Sequence, residues 1–516
     1  MRVALIPLFG WMPHSEHFVY LAHAIRALGH EVEVLTCDGS IPTCFNVEIK
    51  RQKKPIVCAA CKVSTAVVAF QADEKNQFRK YTSSPTSSEV PNEWIHSSLR
   101  SLHRIEGDEI LPSLLLQSQA IKLAEATSQV YHRVQEWVDD RRPDFVFFFN
   151  GRIDISRAVL EALREKKVPF ASVERSFSGN GINILPGEDC LGLEAVHKLT
   201  SLVRDIPLPA DKSYAAGQFL HDRITGQTKT EWRNYNADAD DGEWPLLADG
   251  PRVLILPSSM NEIQGSSDYS MKWQDPTEGF EAVINGFGIS PQQVLVRGHP
   301  NWAMDIGSAK GSAISQHYLN WSTSQDYHYI PSEVKVRSVD LMRDSDLVLV
   351  SHSSAALEAA AVRRHVIAVG GAHYSKAGFT HDASDSEKLS RIIKNLKLYR
   401  GITLDRRRQR RLLRYISAAM TNIPMFAEDI VPLDARHCKM YKASNFNRLK
   451  TILDGSSLSL EIEHHDGCER TEDQVLGKIG TAEWIDIIAK RHGNASSNKW
   501  PIYRGQLLFK ISSALR

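Results

Sequence analysis

The residues best suited to chemistry gather at the ends of short apolar runs. Val294-Leu-Val-Arg-Gly-His-Pro-Asn delivers Arg297, His299 and Pro300 directly after a strand-like run. Ligands of open α/β sheets bind beyond the carboxyl ends of strands, so these side chains stand where a ligand is expected. Arg297 offers a fork for an anion, and His299 a donor to a phosphate or a leaving-group oxygen. The plainer alternative is a histidine that satisfies a turn carbonyl. Further on, Leu347-Val-Leu-Val-Ser-His-Ser-Ser runs into an alanine-rich helix opening at Ala355. Ser353 and Ser354 then occupy a helix N-terminus, where free N–H groups and the dipole favour a phosphate, or where serines serve only as caps. Glu358 follows one turn later on the same face as Ser354, suited to accept from ribose hydroxyls or to sit exposed in a first turn.

Two further strand ends carry polar groups. Leu256-Pro-Ser-Ser-Met-Asn-Glu brings Ser258, Ser259 and Glu262 toward the same cleft, with Glu262 a candidate base or nucleophile. Phe149-Asn-Gly-Arg and Val173-Glu-Arg bring Asn150, Arg152, Glu174 and Arg175 to face His299 from the other side, as sugar and acceptor contacts, unless they are turn residues and surface charges.

Elements of alternating type must position these groups. Arg2–Phe9, Glu16–Leu28 and Gly29–Leu35 read as strand, helix and strand, and Asp144–Phe149, Arg157–Lys166 and Val168–Val173 repeat the unit. Asn76–Trp94 reads as a polar arm and Ser98–Trp137 as one or two long helices. An acidic, turn-rich stretch near Asn236–Gly250 marks a boundary. Beyond it come strands at Arg252–Leu256, Gln293–Arg297, Leu347–Ser351 and Val366–Val369, and helices at Thr277–Phe287, Val339–Asp344 and Ala355–Arg363. The expected organisation is α/β: a Rossmann-like domain over 1–245, a second over 246–400, and a helical, mixed extension over 401–516.

With 516 residues, several domains are expected, and 42% hydrophobic with 24% charged residues excludes collagenous, coiled-coil and disordered chains. A net charge of +1 supplies no global field for nucleic acid, so an anion site must be local. No apolar run is long enough to span a bilayer, and Pro7 and Pro13 interrupt the N-terminal run that a signal peptide would need, so a cytoplasmic location is expected.

Four of the seven cysteines, Cys37, Cys44, Cys58 and Cys61, are spaced Cys-x6-Cys-x13-Cys-x2-Cys. This suits a structural zinc, with unbound thiols, disulfides or an iron–sulfur cluster as alternatives. The basic run beginning Arg406-Arg-Arg-Gln-Arg-Arg is either a solvated helix face or a peripheral contact to anionic headgroups at the inner membrane or to a lipid-linked acceptor.

Arg297-x-His-Pro, Asp340-x5-Asp346 leading into Ser353-Ser354-x-x-x-Glu358-Ala359, and Val366-Ile367-x-x-Gly-Gly together resemble the C-terminal half of capsule polysaccharide glycosyltransferases of the GT-B fold. That group includes 3-deoxyulosonic acid (Kdo) transferases and, more distantly, sialyltransferases. The resemblance covers about residues 250–375 and extends weakly into the first half. It implies two Rossmann-like domains facing a cleft, with His299 and Pro300 on the nucleotide, Ser353 and Ser354 on the phosphate, and the sugar toward the first domain. It further implies transfer from a nucleotide-sugar donor, such as a CMP-ulosonic acid, to a glycan or lipid-linked glycan, with no metal needed for the chemistry. Asn261-Glu262 stands where such transferases carry an acidic pair, which leaves Glu262, Asp268 and Glu174 as rival central carboxylates. A nucleotide-sugar epimerase and a non-catalytic sugar-binding subunit are the competing expectations.

Overall fold

The structure, a computed structural model, describes residues 1–50, 52–81, 90–105, 111–228, 230, 239–245, 248–263, 266–306, 310–442, 445–455 and 467–485. The first sheet comprises β1 (Arg2–Ile6), β2 (Glu31–Thr36), β3 (Glu74–Gln77), β4 (Phe145–Phe149), β5 (Phe170–Arg175) and β6 (Ile182–Pro186), in the order β3-β2-β1-β4-β5-β6. β1 and β4 are near-continuous apolar runs, as strands covered on both faces must be, and they pair in parallel with Ile6 opposite Phe148. β6 is the exception to the parallel rule, running back along β5 at the edge.

The second sheet comprises β7 (Val253–Leu256), β8 (Val294–Arg297), β9 (His328–Ile330), β10 (Leu347–Val350), β11 (His365–Ala368) and β12 (His381–Asp382), in the order β12-β11-β10-β7-β8-β9. Leu254, Leu256, Val348 and Val350 pack into one hydrophobic core, and Val253, Ile255, Leu347 and Leu349 into the other. This period of two shows that helices cover both faces of the sheet. Both sheets share the doubly wound order in which the chain reverses direction beside the first strand, between β1 and β4 and between β7 and β10. The protein is therefore α/β, with two Rossmann-like domains facing a cleft, the GT-B plan.

The expected helices over 98–137 are Glu93–His103, Leu111–Leu115 and Ser118–Arg141. Of the expected polar arm, residues 82–89 lie outside the described residues and its start is β3; residues 236–238 and 246–247 of the acidic boundary stretch and 443–444, 456–466 and 486–516 of the C-terminal extension also lie outside them.

The cores divide the chain differently from the spans 1–245, 246–400 and 401–516. Ala216, Leu220 and Ile224, on the helix Ala210–Ile224, belong to a core of the second domain. Conversely, Met425, Ile430, Met440, Leu449 and Ile452 return to the core of the first. Apolar stripes dock where a matching face is open, irrespective of the acidic stretch between them.

The basic run forms the helix Arg406–Thr421. Its arginines are engaged by carboxylates of the same chain: Arg410 with Asp473 at 2.9 Å, Arg411 with Asp205 at 2.9 Å, and Arg414 with Glu472 at 2.7 Å. Much of the run's charge is thus paired within the chain, while Arg407 remains largely exposed, and nothing in the packing of this helix supports a headgroup contact. Among the described residues no helix is long and apolar enough to cross a membrane.

Arg414 and Glu472 are 2% and 0% exposed, and Glu472 also accepts from the Leu208 N–H at 3.0 Å. Removing one partner of such a buried pair strands the other charge. Glu472→Ala is expected to lower unfolding free energy by about 3–5 kcal/mol, whereas Arg414→Met/Glu472→Leu recovers most of that loss, as measured by urea denaturation.

Candidate functional site

The switch point between β7 and β10 opens onto a cavity of about 720 Å³. His299 and Pro300 wall it after β8, Ser353, Ser354 and Glu358 after β10, Glu262 after β7, and Phe177 from the first domain. Sequence reasoning thus brings together residues far apart in the chain, because parallel strands deliver all their carboxyl ends to one side.

Arg297 lines this cavity but is not a fork for an anion. It is 2% exposed, and its guanidinium donates to the carbonyls of Gly298, Pro331 and Val334. Burial pushes its pKa down to about 10. The arginine clamps the loop after β8 onto the loop after β9. Gly298 is needed there, since a Cβ would meet the Tyr329 hydroxyl at 2.5 Å and Ser332 Oγ at 2.7 Å.

His299 Nδ1 accepts from the Asn301 N–H at 3.0 Å. Burial, aided by Arg297 and Arg104, pushes its pKa down to about 4. A neutral imidazole that accepts at Nδ1 carries its proton on Nε2, so His299 presents a neutral N–H donor. Ser353 Oγ accepts from the Ala355 N–H at 3.2 Å, and its carbonyl accepts from the Tyr374 hydroxyl at 2.8 Å. The two serines therefore serve as the turn into the helix Ala355–Ala361 as well as cavity wall.

Glu358 is buried, not an exposed first-turn carboxylate. Its Oε1 accepts from Arg223 at 2.8 Å, while Oε2 is buried without a partner. Arg223 also reaches Ser354 Oγ at 3.3 Å and lies 5.7 Å and 5.8 Å from the ring centres of Phe177 and Phe219. Sequence reasoning missed this arginine. The available signal was its place on the buried stripe Ala216, Leu220, Arg223, where a charge has no business without a partner.

Ser258 and Ser259 are structural ties rather than donor contacts. The Ser258 and Ser351 hydroxyls share a hydrogen bond at 2.7 Å, and Ser259 Oγ accepts from Trp302 Nε1 at 2.7 Å. Both stitch neighbouring strand ends together. Glu262 is exposed on the cavity wall. Asp268 is not on that wall; its carboxylate accepts from the Leu193 N–H of the first domain at 2.7 Å.

None of the first-domain candidates lines the cavity; Asn150 and Glu174 form a group of their own. Asn150, in a left-handed turn with φ 68°, donates to Glu174 at 2.9 Å. Glu174 also accepts from the Arg175 N–H at 2.9 Å and from His14, which the sequence reading did not single out. Burial opposes ionisation of Glu174, but His14 and these hydrogen bonds outweigh it and hold its pKa at about 2. Arg152 turns away to Ser97 Oγ at 2.6 Å, and Arg175 donates to the Thr230 carbonyl, so neither guanidinium faces His299 as expected.

Cys37, Cys44, Cys58 and Cys61 do converge, around a space of only about 20 Å³. Burial pushes the Cys37 thiol up to about 11, Cys44 well above its usual value, and Cys58 upward. A zinc ligand must be a thiolate, and among the described residues no group of His, Cys, Asp or Glu is arranged to hold a metal. The four cysteines are free and partly buried, and the zinc expectation is not supported.

No protein-family model matches the chain, and no curated protein matches it. Among solved structures, it is similar to two Thermosulfurimonas dismutans KpsC structures. The beta Kdo 2,7 transferase is 14% identical with a TM-score of 0.35, over 59% of this chain and 85% of that one. The beta Kdo 2,4 transferase is 16% identical with a TM-score of 0.34, over 54% and 80%. It is also similar to the UDP-GlcNAc 2-epimerase of Methanocaldococcus jannaschii, 13% identical with a TM-score of 0.28, over 80% and 99%. At such scores the likeness is to a general two-domain fold and carries no argument about activity.

Burial holds His17 and His352 near pKa 3 and His299 and His373 near 4. Unfolding restores them to about 6.5, so the unfolded chain binds more protons between those values and stability is lost as pH falls through 6.5. Glu16 and Asp154, raised by burial to about 7 and about 6, act in the opposite sense but are fewer. Unfolding free energy is expected to fall from pH 6.5 to 4.5. In urea titrations His299→Gln flattens that slope by about 1.4 kcal/mol per pH unit, one proton's worth.

Proposed function

We propose that the protein transfers a sugar from a nucleotide-activated donor, with a CMP-ulosonic acid the favoured class, to a growing glycan or lipid-linked glycan. The observation that carries this reading is the convergence on one cavity of a neutral imidazole donor, a serine-rich helix start and a carboxylate with one oxygen unpartnered. Glu358 Oε2 accepts from a ribose hydroxyl. Ser354 and the N–H groups of the turn meet the phosphate, with the Arg223 guanidinium beside them.

In the transfer step, the acceptor hydroxyl oxygen bonds to the anomeric carbon as the bond from that carbon to the phosphate oxygen breaks. The electron pair leaves on the phosphate, where His299 Nε2–H donates to the developing charge. The acceptor proton passes to a carboxylate. Glu262 is the best of the three rivals: it is exposed on the cavity wall, whereas Glu174 is saturated by three donors and Asp268 bridges the domains. Glu174 then positions the first-domain edge. Protein dipoles and cations supply the charge stabilisation, so this scheme assigns no step to a metal.

A melting-temperature panel with CMP, UDP, GDP and dTDP tests donor binding, since a ligand of the folded state stabilises it by about 2.7 kcal/mol at a hundred times its Kd. One nucleotide should raise the melting temperature selectively, and His299→Ala should abolish that shift. Glu262→Gln should keep the shift and lower transfer by roughly 10²-fold or more. Isomerisation of the donor sugar without acceptor would replace transfer by epimerisation. Absence of any shift, with or without a sugar on the nucleotide, would overturn the reading in favour of a non-catalytic subunit.

A further inference from the structure

A second large cavity lies away from the donor site, at the carboxyl ends of β2 and β3. It measures about 690 Å³ and is walled by Lys62, Lys75, Arg79 and Lys80, with Thr36, Asn76 and Gln77 among the neutral residues and no carboxylate in its lining. All four cations are exposed. Two have distant partners outside the lining, Arg79 with Asp38 at 3.8 Å and Lys80 with Asp140 at 3.4 Å. Lys62 and Lys75 have no carboxylate partner among the described residues. In a chain of net charge +1 this is a local concentration of positive charge, and a concave one.

We propose that this trough binds a carboxylate-bearing stretch of the acceptor glycan, a proposal that rests on reading the first domain as the acceptor side. β3 stands four places from β5 in the sheet, about 19 Å at the usual strand spacing. Both strands deliver their carboxyl ends to the same side, so a glycan of a few sugars held in the trough can extend along that edge toward the cleft. The distribution of charge favours a chain over a compact phosphate. Three of the four cations are lysines, spread along one wall from β3 and another from the helix Lys54–Ala69. That helix turns its second half to the trough, so no N-terminal N–H groups point in, as a tight phosphate cradle would require. Beside the trough, Phe70 is 68% exposed and Lys75 Nζ lies 5.5 Å from its ring centre, a flat apolar face of the kind that packs against a sugar ring.

The test uses the full chain without donor, titrated by calorimetry with a uronic-acid tetrasaccharide, a neutral tetrasaccharide and inorganic pyrophosphate. The tetrauronate should bind, weaken as salt rises from about 50 mM to about 500 mM, and bind at least about tenfold more weakly to Lys62→Glu/Lys75→Glu. The neutral sugar should not bind. If the charge reversal lowers the melting temperature, Lys62→Gln/Lys75→Gln carries the comparison. Tetrauronate binding that is absent, or undiminished in the variant, overturns the proposal, as does pyrophosphate binding with tetrauronate ignored. Since no nucleotide enters the titration, its failure leaves the donor cavity's reading standing. The nucleotide-induced melting shift should be the same in variant and parent.

Discussion

A parallel sheet covered by helices on both faces can meet a ligand only beyond its strand ends, and this constraint arranges everything polar in the second domain. Alternate residues of β7 and β10 divide between two apolar cores, so neither face of those strands has a side chain left for chemistry. The polar groups that reach the cavity come largely from the short stretches after β7, β8 and β10, and from the helix Ala210–Ile224 packed beside them. The same constraint makes those stretches serve structure as well. Ser258, Ser259 and Arg297 are consumed in tying strand ends and loops together. A short loop that must hold its own backbone in place spends most of its polar atoms on itself, which is why few of the candidate groups remain to meet a ligand.

The Arg223–Glu358 pair shows what remains. Each side chain is only 8% exposed, and burying two charges costs desolvation that an apolar pair of equal volume would avoid. Stability alone is therefore a weak reason for the pair. What it supplies is direction: Oε1 is fixed by the guanidinium, which leaves Oε2 the buried oxygen without a partner, on a residue that lines the cavity. The rings of Phe177 and Phe219 flank the guanidinium, and Phe177 comes from the first domain. The charge that orients the Glu358 carboxylate is thus itself held by an interdomain contact.

The strands flanking both switch points were legible because burial on both faces writes itself as an apolar run, as in Phe145–Phe149 and Leu347–Val350. β3, with Glu, Lys, Asn and Gln, and β12, with His and Asp, carry no such signature, since edge strands are short and half solvated. The cavity residues His299, Ser353, Ser354 and Glu358 were legible from their position after strands. Arg297 was misread because spacing fixes where a side chain starts and not which way it turns; three carbonyls lay closer than any cleft. The cysteine spacing was correctly noticed, but a narrow apolar enclosure favours thiols over thiolates. Arg223 was illegible as a site residue because it lies in a helix assigned to the wrong domain, and only the docking of that helix brings it to Glu358.

Environment also separates groups of the same chemical type. Glu174 is held ionised by His14, Asn150 and a backbone N–H, which makes it a poor proton acceptor and a good brace. Glu262 sits exposed on the open wall, where solvent reaches it. His299 is kept neutral by burial near Arg297 and Arg104, so what it presents is the fixed dipole of an N–H and not a charge. A neutral donor has a further consequence. Under the proposed transfer, the attraction of such a dipole for the phosphate grows as negative charge accumulates there, so it holds the departing nucleotide more firmly than the intact donor, with no proton to be gained or lost at His299.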